Sequence, residues 1–133
     1  MLRMASAGPD QSPEAWAAQV HAAAPAGFAG PWPRLSVWQG ESDLTVAPAN
    51  GTLLATQWRA LHGLTAATGA DQVRDGVQHR VWSDGEQPVV ELWSLPHLPH
   101  AYPVGTRVVA PRRFIEQAPA DATMEIARFF GLD

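Results

Sequence analysis

The fold of this chain is decided by the stretch Pro33-Arg34-Leu35-Ser36-Val37-Trp38-Gln39-Gly40-Glu41-Ser42-Asp43-Leu44-Thr45-Val46. Leu35, Val37 and, less strictly, Trp38 give the apolar alternation of a short buried strand, which we predict over 34–39. The strand ends at Gly40, and Asp43 then stands in a loop ahead of a helix signal. Open α/β sheets place their chemistry just past the carboxyl end of a strand. Asp43 is therefore the first candidate functional residue.

On either side of this stretch the sequence predicts three helices and a hairpin. Ser12 and Pro13 form a helix start, and Gly63 and Gly131 stand where glycines end helices. Runs of β-branched and aromatic residues, joined by a turn at Asp84-Gly85, predict the hairpin. The predicted elements are helices over 13–24, 49–62 and 121–130, and hairpin strands over 77–82 and 88–95.

The remaining segments are predicted to be loops. Residues 1–11 are expected to be disordered, and 64–75 to be a loop. Residues 95–103 hold three prolines and are expected to form a stiff loop that is neither helix nor strand. A short apolar run follows at Val108-Val109. The order of elements predicts an α/β fold with too few strands for a full sheet, so one edge of the first strand lacks a partner.

Composition excludes several classes of protein. The chain has 133 residues and a formal net charge of -4, which suits one small domain without the basic face that nucleic-acid binding needs. It has no cysteine, so disulfides, thiol nucleophiles and cysteine-based zinc sites are excluded. No apolar run reaches the roughly 18 residues of a membrane span, and the first residues lack the apolar core of a signal peptide.

His100 is the second candidate functional residue, because it also follows the carboxyl end of a predicted strand. If the two strands are neighbours, Asp43 and His100 share one rim of the sheet. A carboxylate bonded to one imidazole nitrogen fixes the tautomer, and the other nitrogen can then take a proton from a hydroxyl nucleophile. The order acid before histidine fits the last two members of the triad in α/β-hydrolases.

The third member of such a triad, a serine within Gly-x-Ser-x-Gly, is not found at any of the six serines. Other interpretations therefore stay open: Asp43 as a cap of the following helix or loop, and His100 as an ordinary exposed side chain. A metal site formed by His97, His100 and Asp43 is disfavoured because Pro99 prevents helical presentation of the two histidines. We predict no metal and no cofactor.

Three segments resemble the polyhydroxybutyrate depolymerase family of esterases, which includes feruloyl and acetylxylan esterase-like members. Residues 30–50 are similar to its acid-bearing segment, a strand followed by Gly-x-x-Asp-x-x-Val-x-Pro-x-Asn, and Gln57-Trp58 follows in the expected helix. Residues 90–105 resemble its histidine segment, although His97 and Pro99 replace the usual glycines. Residues 127–132 resemble its last helix, so the similarity runs from about residue 4 to the end.

The resemblance implies that residues 1–133 are the carboxyl-terminal part of an α/β-hydrolase domain: a parallel strand, a β-hairpin and flanking helices. Asp43 would be the triad acid and His100 the triad base, whereas the nucleophile and oxyanion hole would lie in a missing first half. The implied function is hydrolysis of carboxylic esters, with a polyester or an acylated polysaccharide as substrate. The implied location is extracellular or periplasmic.

An alternative remains that the chain is a truncated, non-catalytic or interaction module that keeps this half-fold. Under either interpretation, the expected protein partners of the chain are the missing amino-terminal half or, through the exposed sheet edge, a second copy of itself, and no nucleic-acid or membrane partner is expected.

Overall fold

The computed structural model describes residues 6, 8–106, 110 and 112–132. This part of the chain forms three helices and six strands. They are α1 (Pro13–Ala23), β1 (Leu35–Gly40), α2 (Ala49–Leu61), β2 (Ala70–Arg74), β3 (Val77–Asp84), β4 (Gln87–Leu95), β5 (Tyr102–Pro103), β6 (Ile115–Glu116) and α3 (Ala122–Phe130). None of the described helices has the length and apolar character needed to cross a membrane.

The main sheet has four strands in the order β1-β4-β3-β2. β1 runs parallel to β4, with Leu35 opposite Val90 and Gly40 opposite Leu95. The other two pairings are antiparallel. The strands that precede Asp43 and His100 are therefore neighbours, and their carboxyl ends meet at one edge of the sheet. This is the condition under which the two residues share one rim.

The predicted helices are confirmed to within one residue at each end. The Ser12 hydroxyl oxygen accepts a hydrogen bond from the Ala15 amide, which caps α1. The Asp121 carboxylate caps α3 in the same way, and Gly131 ends that helix with a φ of 70°. Local capping chemistry therefore sets where these helices begin and end.

The predicted loop over 64–75 is wrong in its second half, because residues Ala70–Arg74 form β2. Every residue of β2 is exposed, so the strand carries no apolar pattern. It is held by backbone pairing to β3 and by an ion pair between Arg80 and Asp71. The connecting turn has left-handed backbone at Asp75 and Gly76, with φ values of 51° and 78°, as two-residue hairpin turns require.

The prediction that residues 95–103 form neither helix nor strand is also wrong at its carboxyl end. Tyr102–Pro103 form a two-residue strand, β5, which pairs in parallel with β6. Such a short pairing depends on a partner more than ten residues away, so no local pattern predicts it. The apolar run at 108–109 lies outside the described residues.

One face of the sheet packs against α2. Its core contains Val37, Val90 and Trp82 from the sheet and Ala55 from α2, and Trp58 packs against this cluster. Trp58 therefore helps to join α2 to the sheet. This packing fixes β1 beside β4, and with it the rim where the two candidate residues stand.

The opposite face contains a buried polar network among aromatic rings. Glu91 is only 2% exposed, and its carboxylate accepts hydrogen bonds from the Ser36 hydroxyl (2.6 Å) and lies 2.8 Å from His79 Nε2. His79 stacks on Trp93 with ring centroids 3.7 Å apart, and Trp93 stacks on Trp38 at 4.7 Å. These contacts tie the three strands β1, β4 and β3 together across the sheet.

Candidate active site

Asp43 is held by the backbone of its own loop. Its amide donates to the carbonyl of Gly40 at 3.2 Å. Its Oδ1 accepts hydrogen bonds from the amides of Thr45 (2.7 Å) and Val46 (2.9 Å). This is the side-chain-to-backbone turn that aspartate favours, and it leaves Oδ2 facing outward for another donor.

Oδ2 of Asp43 meets the imidazole of His100, with Nδ1 2.8 Å away. An ionised carboxylate only accepts hydrogen bonds, so Nδ1 carries the proton and donates it. In the neutral ring Nε2 is then an acceptor. Among the residues that the structure describes, Nε2 has no hydrogen-bond partner, and the side chain is 45% exposed. The pair therefore presents a free, oriented base to solvent.

The pKa of Asp43 is lower than its ordinary value. Burial of the carboxyl by itself would raise the pKa, but hydrogen bonds from the Val46 amide, the His100 imidazole and the Thr45 amide together lower it. The carboxylate consequently stays ionised across the neutral range. An ionised partner is what an imidazole needs to keep its Nδ1 proton and to gain charge.

The acid loop and the histidine loop are joined by backbone hydrogen bonds. The amides of Glu41 and Ser42 donate to the carbonyls of Leu95 (2.9 Å) and Leu98 (3.2 Å), and the Ser42 hydroxyl donates to Pro96 (3.0 Å). These bonds bring the loop that carries His97, Pro99 and His100 against the loop of Asp43. Ser42 is a positioning residue that sequence reasoning missed.

Gly40 permits the two loops to approach this closely. A Cβ atom at this position would overlap the carbonyl oxygen of Leu98 and lie 2.8 Å from that of Pro99. Gly40 is itself buried at the end of β1. The glycine in the Gly-x-x-Asp pattern therefore has a steric reason, which is the passage of the histidine loop across its Cα.

His97 does not take part in this arrangement. It is exposed and lines a cavity of about 150 Å³ on the histidine loop. Across the described ranges, no three histidine or acidic side chains come together in a group that could hold a metal ion. His97, His100 and Asp43 thus do not form such a group.

Phe114 is a further neighbour of His100 that the sequence did not indicate. The two rings meet at 82° with centroids 5.6 Å apart. Phe114 lies in a stretch for which the sequence predicted no element, and the contact arises only because β5 and β6 pair. No local signal could have identified it.

The chain was compared with known proteins. No family model matches it. It is 29% identical over 133 residues to poly(3-hydroxyalkanoate) depolymerase C of Paucimonas lemoignei, covering 96% of this chain and 32% of the relative. It is 32% identical over 104 residues to an acetylxylan esterase of Coprinopsis cinerea, covering 75% and 27%. It is 29% identical over 101 residues to feruloyl esterase B of Talaromyces stipitatus, covering 75% and 27%.

A solved structure is similar to this chain in its fold. The acetyl xylan esterase from Aspergillus awamori matches 94% of this chain and 39% of its own with a TM-score of 0.69, at 18% identity. The mixed α/β arrangement is therefore similar to part of that fold. The chain spans about a third of the length of the curated relatives it matches.

Proposed function

We propose that this chain, a distant homologue of esterases and of a polyester depolymerase, is the carboxyl-terminal part of a carboxylic ester hydrolase of the polyhydroxybutyrate depolymerase or feruloyl esterase type. Residues 1–133 would be a partial α/β-hydrolase domain that supplies Asp43 and His100. The nucleophilic serine and the oxyanion hole would come from a preceding half. The observation that carries the proposal is the 2.8 Å contact between His100 Nδ1 and Asp43 Oδ2, with Nε2 left free.

In the complete enzyme, His100 Nε2 takes the proton of the serine hydroxyl as its oxygen attacks the ester carbonyl. Asp43 holds the ring in the tautomer that has Nδ1 protonated, and its charge stabilises the imidazolium that forms. The tetrahedral intermediate collapses, and Nε2 returns the proton to the leaving alcohol. Water then attacks the acyl-serine by the same proton route and releases the acid.

The substrate class we propose follows from the relatives. Their names specify a poly(3-hydroxyalkanoate), an acetylated xylan and a feruloyl ester. We therefore propose a polyester or an acylated polysaccharide as the substrate of the complete enzyme, with an extracellular or periplasmic location as the resemblance implies.

A second candidate function is a non-catalytic or interaction module that retains the half-fold. It is favoured by the absence of Gly-x-Ser-x-Gly from all six serine positions. The reading frame upstream of residue 1 discriminates between the two. A stretch that encodes Gly-x-Ser-x-Gly supports the half-enzyme, and its absence supports the module.

The first prediction concerns the completed enzyme, in which this chain is joined to an upstream segment carrying Gly-x-Ser-x-Gly. His100→Ala should lower kcat for an ester by about 10⁴-fold or more, because the proton acceptor is lost. Asp43→Asn should lower it by about 10²- to 10⁴-fold, because the base keeps its place but loses its oriented tautomer.

The matched control is His97→Ala, which removes an exposed histidine from the same loop and should leave kcat nearly unchanged. Near-wild-type turnover in His100→Ala would contradict the assignment of His100 as the base. Loss of turnover in His97→Ala would instead identify His97 as the base.

The second prediction concerns the chain by itself. The purified 133 residues should neither hydrolyse p-nitrophenyl butyrate nor react with a fluorophosphonate, because His100 has no serine hydroxyl to activate. Active-site labelling followed by mass spectrometry checks this. A covalent adduct on any of the six serines would show that the chain carries its own nucleophile.

A further inference from the structure

Phe114 is an exposed aromatic residue placed against the free base. Its side chain is 51% exposed, and its ring meets the His100 imidazole at right angles with centroids 5.6 Å apart. Leu44, which follows Asp43 in the chain, is a second exposed apolar residue near this pair, with 95% of its surface exposed. Single exposed apolar residues are common on protein surfaces, and Phe114 differs from them in how its backbone and ring are held.

The backbone of Phe114 has a φ of 65°, in the left-handed region. A residue with a Cβ atom is disfavoured there, and bulky residues especially so, whereas glycine is tolerated at little cost. Burial does not compensate for this, because half of the side chain faces solvent. Disfavoured backbone that persists beside a reactive group points to a functional constraint.

Three contacts keep the ring where it is. The Phe114 carbonyl accepts a hydrogen bond from the Tyr102 amide at 2.8 Å, beside the β5–β6 pairing. The Arg113 guanidinium lies 4.5 Å from the ring centroid and covers one face. The edge contact with His100 supplies the third. The ring is therefore a fixed wall next to the imidazole.

The chemistry of ester hydrolysis identifies which part of a substrate would touch this wall. His100 Nε2 must give its proton to the leaving alcohol oxygen, so that oxygen comes within hydrogen-bond distance of Nε2. A ring centred 5.6 Å from the imidazole is within reach of carbon atoms attached to that oxygen. The acyl group is directed toward the nucleophile and the oxyanion hole instead.

Resting on the proposed esterase function, we propose that Phe114 is a specificity-determining residue that contacts the alcohol part of the ester and favours aliphatic alcohols over polyhydroxylated ones. The phenyl ring offers apolar surface and no hydrogen-bonding group. An aliphatic chain gains by covering it, whereas a sugar hydroxyl placed against it loses water without a replacement. The substrate class this selects is an ester of an aliphatic hydroxy acid, as in an aliphatic polyester.

The test uses the completed enzyme and two acetates that differ only in their alcohol, n-butyl acetate and 2,3-dihydroxypropyl acetate. Phe114→Ala should lower the ratio of kcat/KM for the butyl ester to that for the dihydroxypropyl ester by about tenfold. Phe114→Leu should keep most of the preference. Val73→Ala is the matched control, because Val73 is an apolar residue 71% exposed on β2, at the far edge of the sheet, and should leave the ratio unchanged.

A second variant separates a substrate contact from a structural role. Phe114→Gly removes the ring and relieves the left-handed backbone, so we expect an unchanged or raised Tm together with the lower ratio. A ratio that stays at the wild-type value in both the Ala and Gly variants overturns this inference and leaves the esterase function standing. If the unsubstituted completed enzyme hydrolyses neither acetate nor any other ester, the proposed function fails and this inference fails with it.

Discussion

The carboxylate of Asp43 accepts three hydrogen bonds, two at Oδ1 from its own loop and one at Oδ2 from His100. The two oxygens therefore have separate tasks. Oδ1 fixes the side chain to the backbone, and Oδ2 orients the imidazole. Each bond favours the ionised carboxyl, which explains why its pKa is lowered in spite of the burial that opposes ionisation.

The third prediction follows from this lowered pKa. The ordinary value is 3.8 and the folded value lies below it, so the unfolded chain binds the proton first as the pH falls. The ionised carboxyl then stabilises the fold above about pH 4, and this stabilisation is lost as the pH falls through the folded pKa. Wild type should exceed Asp43→Asn in free energy of unfolding at pH 6, and the difference should shrink toward pH 2.

Urea unfolding of both chains at a series of pH values measures this difference. Asp84→Asn removes the same charge from an exposed acid at the end of β3 and serves as the control for the loss of one negative charge. A constant gap between wild type and Asp43→Asn from pH 6 to pH 2 would contradict the account of the hydrogen bonds.

At the level of single residues, the sequence identified Asp43 and His100 as candidates because both follow strands and stand in the order of a hydrolase. The structure brings the two side chains into contact, and their catalytic roles stay a prediction. It could not predict Phe114, since that residue reaches His100 only through the pairing of β5 with β6. It also could not show that Ser42 bonds to the histidine loop. Contacts made across loops depend on backbone course, which neither periodicity nor spacing records.

At the level of elements, the end of β1 and the loop after β4 behave as one unit. Backbone bonds join them at Leu95 and Leu98, and Gly40 lets the two main chains lie in contact. Main-chain packing therefore sets the distance between Asp43 and His100. A change of side-chain rotamer alone cannot restore this distance once the two loops move apart.

The fourth prediction tests this unit. Gly40→Ala should leave the helices and the sheet folded but push the histidine loop away, because its Cβ would overlap the Leu98 carbonyl. We expect the His100 Hδ1 resonance, which a carboxylate partner shifts downfield, to be lost from the NMR spectrum of the isolated chain. A steric clash in the core also costs about 1–3 kcal/mol of stability.

Gly69→Ala is the matched control, since its Cβ would also be crowded, in this case by the side chains of Arg80 and Trp82, at a place away from the two loops. It should lower stability and keep the His100 signal. A Gly40→Ala chain that retains the signal would show that the histidine loop can shift without releasing Asp43.

The elements themselves were largely predictable where their signals are local. Helix caps at Ser12 and Asp121 and the apolar runs of β3 and β4 identify their own elements. β2 was missed because an edge strand with all five residues exposed needs no apolar pattern. Its turn signal, Asp75-Gly76, was present and would have indicated a second hairpin.

At the scale of the whole molecule, the sheet has two unlike edges in the part of the chain that is described. β2 is exposed and polar at one edge, whereas β1 is half-buried and apolar at the other. The unpaired side of β1 offers backbone groups and apolar side chains to another strand. In the proposed enzyme this side would receive the amino-terminal half.

The fifth prediction is that the isolated chain self-associates through β1. Gln39→Lys should weaken the association, because lysine on an edge strand opposes pairing. Val73→Lys, the equivalent change on β2, should not. Sedimentation velocity over a range of concentrations measures the degree of association. A monodisperse monomer at high concentration would show that the β1 edge does not pair with a second chain.

The parallel pairing of β1 with β4 has a consequence for how the molecule is assembled. β2, β3 and β4 form a meander of short hairpins whose contacts are local and inexpensive in chain entropy. His100 and Asp43, by contrast, are 57 positions apart, and they meet only after the long connection through α2 and the meander has closed. The contact between His100 and Asp43 therefore carries the entropic cost of closing that long connection. The hydrogen bond that orients the imidazole therefore depends on the pairing of β1 with β4, so an intact Asp43–His100 pair reports that this long-range part of the sheet has closed.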